Sequence, residues 1–160
     1  MTQSPTLREP AHRVSPRAKV MWRVQALVEG AVALALLVVA VLAWDLAWWV
    51  LPPYVVVMLA WSLAVPHWRY LVHRWEATDS AVYTQTGWWA RERRIAPMSR
   101  VQTVDYAEGP VARLFGLASV TVTTASAAGA LSIDGLDRDV ARRLVDDLTR
   151  QADVVEGDAT

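Results

Sequence analysis

Between Val24 and Val65 the chain is apolar almost without interruption, and only Glu29 and Asp45 carry a charge there. A charged side chain at mid-bilayer costs about 2.5–3.5 kcal/mol even on a lenient insertion scale, so this stretch reads as membrane-embedded. It is too long for one crossing of roughly 20 helical residues and suits two. The expected spans are residues 24–44 and 50–68, broken at Asp45 and Leu46. Pro52 and Pro53 fit the first turn of the second helix, and Pro66 is expected to kink or end it. Trp44, Trp48, Trp49 and Tyr54 gather at one rim and Trp22, Trp68 and Tyr70 at the other, the two-belt placement of amphipathic rings.

After the second span the apolar period changes from helical to alternating, and turn residues recur at short intervals. Strands are expected over Ala81–Gln85 and Trp88–Ile95, joined at Thr86 and Gly87, and over Val101–Tyr106, Ala118–Thr124 and Leu131–Ile133. Val111–Phe115 suits one helical turn. The Val and Thr alternation of residues 118–124 packs well on a pleated surface. The last element is helical: Asp137 suits its N-cap, and Val140, Ala141, Leu144, Val145 and Leu148 form one apolar stripe. That stripe must dock, most economically on the preceding sheet.

The expected organisation is therefore a basic tail (1–23), a transmembrane hairpin (24–68), a sheet domain (69–152) and a disordered acidic tail (153–160). Residues before about Ser15 are expected to fray. All sixteen Lys and Arg residues lie outside residues 24–65: Arg8, Arg13, Arg17, Lys19 and Arg23 precede the first span, and Arg69 and Arg74 follow the second. By the positive-inside rule both termini face the cytosol. The absence of cysteine excludes disulfides, thiolate metal sites and cysteine nucleophiles. Net charge is zero but segregated, which speaks against nucleic acid and for an anionic membrane surface.

The succession WEATDSAVYTQTGWW, IAPMSRVQTVD, GPVARLFGLASVTVTTA and LSIDGL before a helix resembles the bacterial pleckstrin-homology-like family of membrane-flanked proteins. It is most similar to short members in which two spans precede one such domain. The resemblance implies an α+β fold, an antiparallel curved sheet or partial barrel capped by a C-terminal helix, in the bacterial inner membrane. It also implies partners: membrane lipids, and a homo-oligomer or a hetero-oligomer with a larger PH-like membrane protein. The motif around Gly109, Pro110, Leu114, Phe115, Gly116 and Leu117 reads as packing chemistry, with Leu114, Phe115 and Leu117 expected in the core.

Candidate functional residues are few. Arg91, Arg93, Arg94 and Arg100 form a basic cluster, with Trp88 and Trp89 beside it. It serves either as a contact for anionic headgroups or as a solvated edge that blocks sheet-to-sheet pairing. The uncharged hairpin tip Gln85–Gly87 lacks the basic residues with which pleckstrin-homology domains grip phosphoinositides. Glu29 belongs either to the headgroup rim or to a transport pathway. Asp134, Asp137 and Asp139 read as helix-start carboxylates rather than a cation site. His12, His67 and His73 have neither metal-ligand spacing nor a paired nucleophile, and no phosphate-loop or dinucleotide pattern occurs. No catalytic, metal or cofactor residue is expected. The leading expectation is a non-catalytic interaction or scaffolding module, ahead of an anionic-lipid sensor and a small transporter subunit.

Overall fold

The computed structural model describes residues 9–87, 90–125 and 129–157, with side chains through 152 in the last helix. Two long apolar helices form an antiparallel hairpin: α1, Pro16–Trp44, and α2, Leu51–Val72. Both are long and apolar enough to cross a membrane. From Arg23 to Trp44, at roughly 1.5 Å per residue, α1 rises about 30 Å, the thickness of a hydrocarbon core. Leu36, Val39 and Leu42 are exposed on α1, as are Val56, Val57 and Leu63 on α2. An uncovered apolar surface of this extent needs lipid around it.

Helix α1 starts well before the expected Val24, because Ser15 and Pro16 form a strong start signal: the Ser15 hydroxyl accepts the Arg17 N–H at 3.3 Å and Pro16 stands at N1. It ends where Asp45 adopts a left-handed conformation. Pro66 does not end α2, which continues to Val72. The helices meet closely at Gly30, where a Cβ would lie 2.4 Å from Met58 Cγ, and Tyr54 donates to the Gly30 carbonyl at 3.0 Å.

The remainder builds two antiparallel sheets and two helices. Strands β1 (His12–Arg13), β2 (Arg74–Ala77), β3 (Ala81–Thr86) and β4 (Glu92–Pro97) form one sheet in that order. Strands β5 (Val101–Ala107), β6 (Leu117–Thr124) and β7 (Leu131–Asp137) form the other. A short helix α3, Pro110–Leu114, precedes β6, and α4, Arg138–Gly157, packs across β5–β7. Val82 and Ala96 of the first sheet, Val120, Val122 and Ile133 of the second, and Leu144 and Leu148 of α4 share one core. The sheets face each other without closing into a barrel.

The segment expected as a fraying tail is built into the domain. His12 and Arg13 pair with Trp75 and Arg74, and Pro10 is fully buried. Val14, just before α1, and Ala18, Met21 and Trp22 of its first turns form a second core with Leu117, against which Tyr70, Val111 and Phe115 pack. The membrane hairpin is thus inserted between the first and second strands of one sheet. The hairpin tip also differs from expectation, since β3 runs through Gln85 to Thr86 and Gln85 is buried.

Candidate membrane-facing surface

Two features lie where the hairpin meets the sheets. The first is the joint itself. A single residue, His73, separates α2 from β2. Its Nδ1–H donates to the Arg69 carbonyl at 2.9 Å, which leaves Nε2 to accept from Arg69 Nε at 3.4 Å, so the ring sits neutral. Burial, and then the nearby Arg69 guanidinium, hold its pKa below the ordinary histidine value. Arg69 lies 4.2 Å over the Trp22 ring of α1 and 3.7 Å from the Asp134 carboxylate of β7. One guanidinium therefore ties both membrane helices to the second sheet.

The acidic residues around the β7–α4 corner serve this joint. Asp137 accepts from the Ser15 hydroxyl at 2.9 Å and faces Arg17 at 3.7 Å, so its carboxylate holds the start of α1. Beside it the Ser15 N–H donates to the Gly135 carbonyl at 2.9 Å. Gly135 is required here: its φ is +77°, and a Cβ would stand 2.7 Å from Ala18 Cβ.

The second feature is the basic end of the first sheet. Register aligns Arg74, Gln85 and Arg93 across β2, β3 and β4. Gln85 donates from Nε2 to the Val72 carbonyl at 3.1 Å, tying this row to the last residue of α2, and accepts from Arg93 Nε at 2.9 Å. The row and the turn after Thr86 consequently lie at the end of the sheet where α2 terminates. The Glu9 carboxylate sits among Arg93 at 3.4 Å and Arg74 and Arg91 at 3.9 Å each.

The expected arginine cluster is split by the alternation of the strand. Arg91 and Arg93 face Glu9. Arg94 instead pairs with Glu92 at 2.6 Å and donates to the Ala130 carbonyl at 3.2 Å. Arg93, Arg94 and the exposed Arg100 line a cleft of about 340 Å³ that also touches Thr124, Gly129 and Leu131. Trp88 and Trp89 lie outside the described residues. Glu29 is exposed on α1.

The Gly109–Leu117 motif is structural with one exception. Gly109 caps α3, Pro110 begins it and Gly116 turns at φ +67°. Leu117 is fully buried and Phe115 packs on the second core, but Leu114 is 84% exposed, because Val111, Ala112 and Phe115 occupy the inward face of so short a helix. Sequence reasoning missed Glu9, Arg74 and Gln85. No periodicity marks a two-residue strand, although Ser15–Pro16 signals the early helix start that brings the segment back to the sheet.

The profile of the bacterial PH domain family matches residues 23–152. The chain belongs to that family. It is 33% identical over 157 residues to the transmembrane protein YdbS of Bacillus subtilis (strain 168), an alignment covering 94% of this chain and 98% of that one. No solved structure matches. With two exposed apolar helices and a relative named as a transmembrane protein, the chain is a membrane-associated bacterial PH domain protein. The family match begins at residue 23, so the Glu9–Trp22 segment that completes the first sheet and the second core precedes it.

Proposed function

We propose that this bacterial PH domain protein is a non-catalytic interaction module of the cytoplasmic membrane. Both termini face the cytosol, and the module assembles with itself or with a larger protein carrying several such domains. The observation that carries this reading is the one-residue link at His73 together with the Arg69 joint. They fix the sheets against the hairpin, so the exposed strand edges are offered in one orientation relative to the bilayer. Among the described residues strand β5 is paired on one side only, by β6, and its other edge suits strand addition by a partner. Crosslinking in native membranes is the test. A defined protein adduct is expected, and recovery of monomer alone at all crosslinker spacings refutes the reading.

A second reading, a contact for anionic phospholipid, is favoured by the register that brings Arg74 and Arg93 to the end of the sheet where α2 terminates. Each arginine at an anionic surface contributes on the order of 1 kcal/mol. Its test needs the full chain, since residues 75–152 alone lack the Val14, Ala18, Met21 and Trp22 side chains of the second core. Retention of phosphatidylglycerol over phosphatidylcholine through purification supports the reading, and equal retention refutes it.

A further inference from the structure

Three guanidinium groups around one carboxylate form an anion site that the chain fills with its own residue. The distances are uneven and long, 3.4 Å to Arg93 and 3.9 Å to Arg74 and Arg91. Charge-assisted N–H···O bonds close to about 2.7–2.9 Å, so two carboxylate oxygens leave this cluster underfilled. A phosphate, with more acceptor oxygens and a greater spread, fits three forked donors better.

Glu9 is also weakly held. Its side chain is half exposed, and the strand after it has only two residues. Exposed ion pairs contribute about 0–1 kcal/mol each. The anchor lies further on, in buried Pro10, the Ala11 N–H to Glu76 bond at 3.2 Å and the His12 ring on Trp75. Glu9 can therefore swing away while the rest of the segment stays seated.

We infer that Glu9 is a displaceable self-ligand of an anion site formed by Arg74, Arg91 and Arg93, and that the headgroup phosphate of an anionic phospholipid beside α2 competes with it. This rests on the lipid reading above. The source is the bilayer because the Arg74–Gln85–Arg93 row is tied through Gln85 to the end of α2. The carboxylate then acts as a threshold: a neutral leaflet leaves the site closed, and a leaflet rich in anionic lipid opens it.

The experiment uses the full chain in nanodiscs of phosphatidylcholine or phosphatidylglycerol. Carbodiimide footprinting by mass spectrometry reads the reactivity of the Glu9 carboxylate, with exposed Asp146 on α4 as the internal reference. Phosphatidylglycerol is expected to raise Glu9 labelling several-fold and leave Asp146 unchanged. Glu9→Gln is expected to retain more phosphatidylglycerol, on the order of fivefold, the factor that about 1 kcal/mol represents. Arg91→Gln, at an exposed position, is expected to lose that preference without loss of fold. If Arg91→Gln lowers lipid retention while Glu9 labelling and Glu9→Gln show no change, the latch is refuted and the lipid reading stands. If no variant, Glu9→Gln included, prefers phosphatidylglycerol, the lipid reading itself fails. Inorganic phosphate that unmasks Glu9 in phosphatidylcholine discs overturns the assignment to lipid.

Discussion

Replacing Gly135 by alanine tests whether the hairpin and the sheets are docked as one body. Two separable penalties act at this position. The backbone penalty comes from φ +77°, where a side chain costs about 1–2 kcal/mol. The packing penalty comes from a Cβ placed 2.7 Å from Ala18 Cβ and 3.4 Å from Trp22 Cζ2; overpacking of this kind costs about 1–3 kcal/mol. Ala18 Cβ has no rotamer through which to yield, so relief requires α1 to move off β7. Gly129 provides the control, with φ +78° and nothing among the described residues within 4 Å of where an added Cβ would stand. Gly129→Ala therefore carries only the backbone penalty. Thermal unfolding of the full chain in mild detergent, followed by tryptophan fluorescence, is expected to show a fall of about 3–8 °C for Gly129→Ala and roughly twice that for Gly135→Ala. Increased trypsin cleavage at Arg17 and Arg23 should accompany Gly135→Ala alone. Equal melting of the two variants, with unchanged cleavage, would refute the docking of α1 on β7.

Gln85→Leu should destabilise the chain by about 1–3 kcal/mol in the same melting assay, because it leaves the buried Val72 carbonyl without its donor. Leu114→Asp should leave the melting temperature within the equivalent of about 0.5 kcal/mol, the usual range for an exposed position, and a larger loss would place Leu114 in the core after all. Stability should also depend on pH through two groups. His73 has a folded pKa below its unfolded value, so the unfolded chain takes up the proton first; the contribution is complete above about pH 6.5 and is lost as pH falls through the folded pKa. His73→Gln should flatten that window. Glu108 accepts a hydrogen bond from Tyr106 and faces Arg138 at 3.1 Å, which hold its carboxyl below the usual range, so its contribution persists above about pH 4.5 and disappears in stronger acid. A pH profile of melting temperature checks both.

The apolar hairpin and the sheet-then-helix order are legible in the sequence because each rests on a long periodic signal. Residues 24–65 exclude cations, residues 117–124 alternate, and Ala141, Leu144 and Leu148 repeat along one stripe. Contacts between residues far apart in the chain are not legible. Ser15 with Asp137, Glu9 with Arg93 and Arg69 with Asp134 each span a separation that no local pattern encodes. Leu114 is misplaced by sequence reasoning because a five-residue helix has too few turns for its apolar face to be chosen from spacing. The arginine cluster stands out as a group, but strand alternation gives neighbours different partners, Glu9 for Arg93 and Glu92 with the Ala130 carbonyl for Arg94.

Because one residue joins α2 to β2, and Arg69 contacts both Trp22 of α1 and Asp134 of β7, the sheets follow the hairpin without an intervening linker. Under the proposed function, that linkage sets the height at which the sheets would meet another membrane protein. On that proposal, a partner would need a complementary edge at matching depth more than high intrinsic affinity. A helical insertion of one residue in either span, which turns the helix beyond it by about 100°, would have to break either the α1–α2 contact at Gly30 or the docking of Ser15 and Arg69, because both helices are anchored to the same pair of sheets.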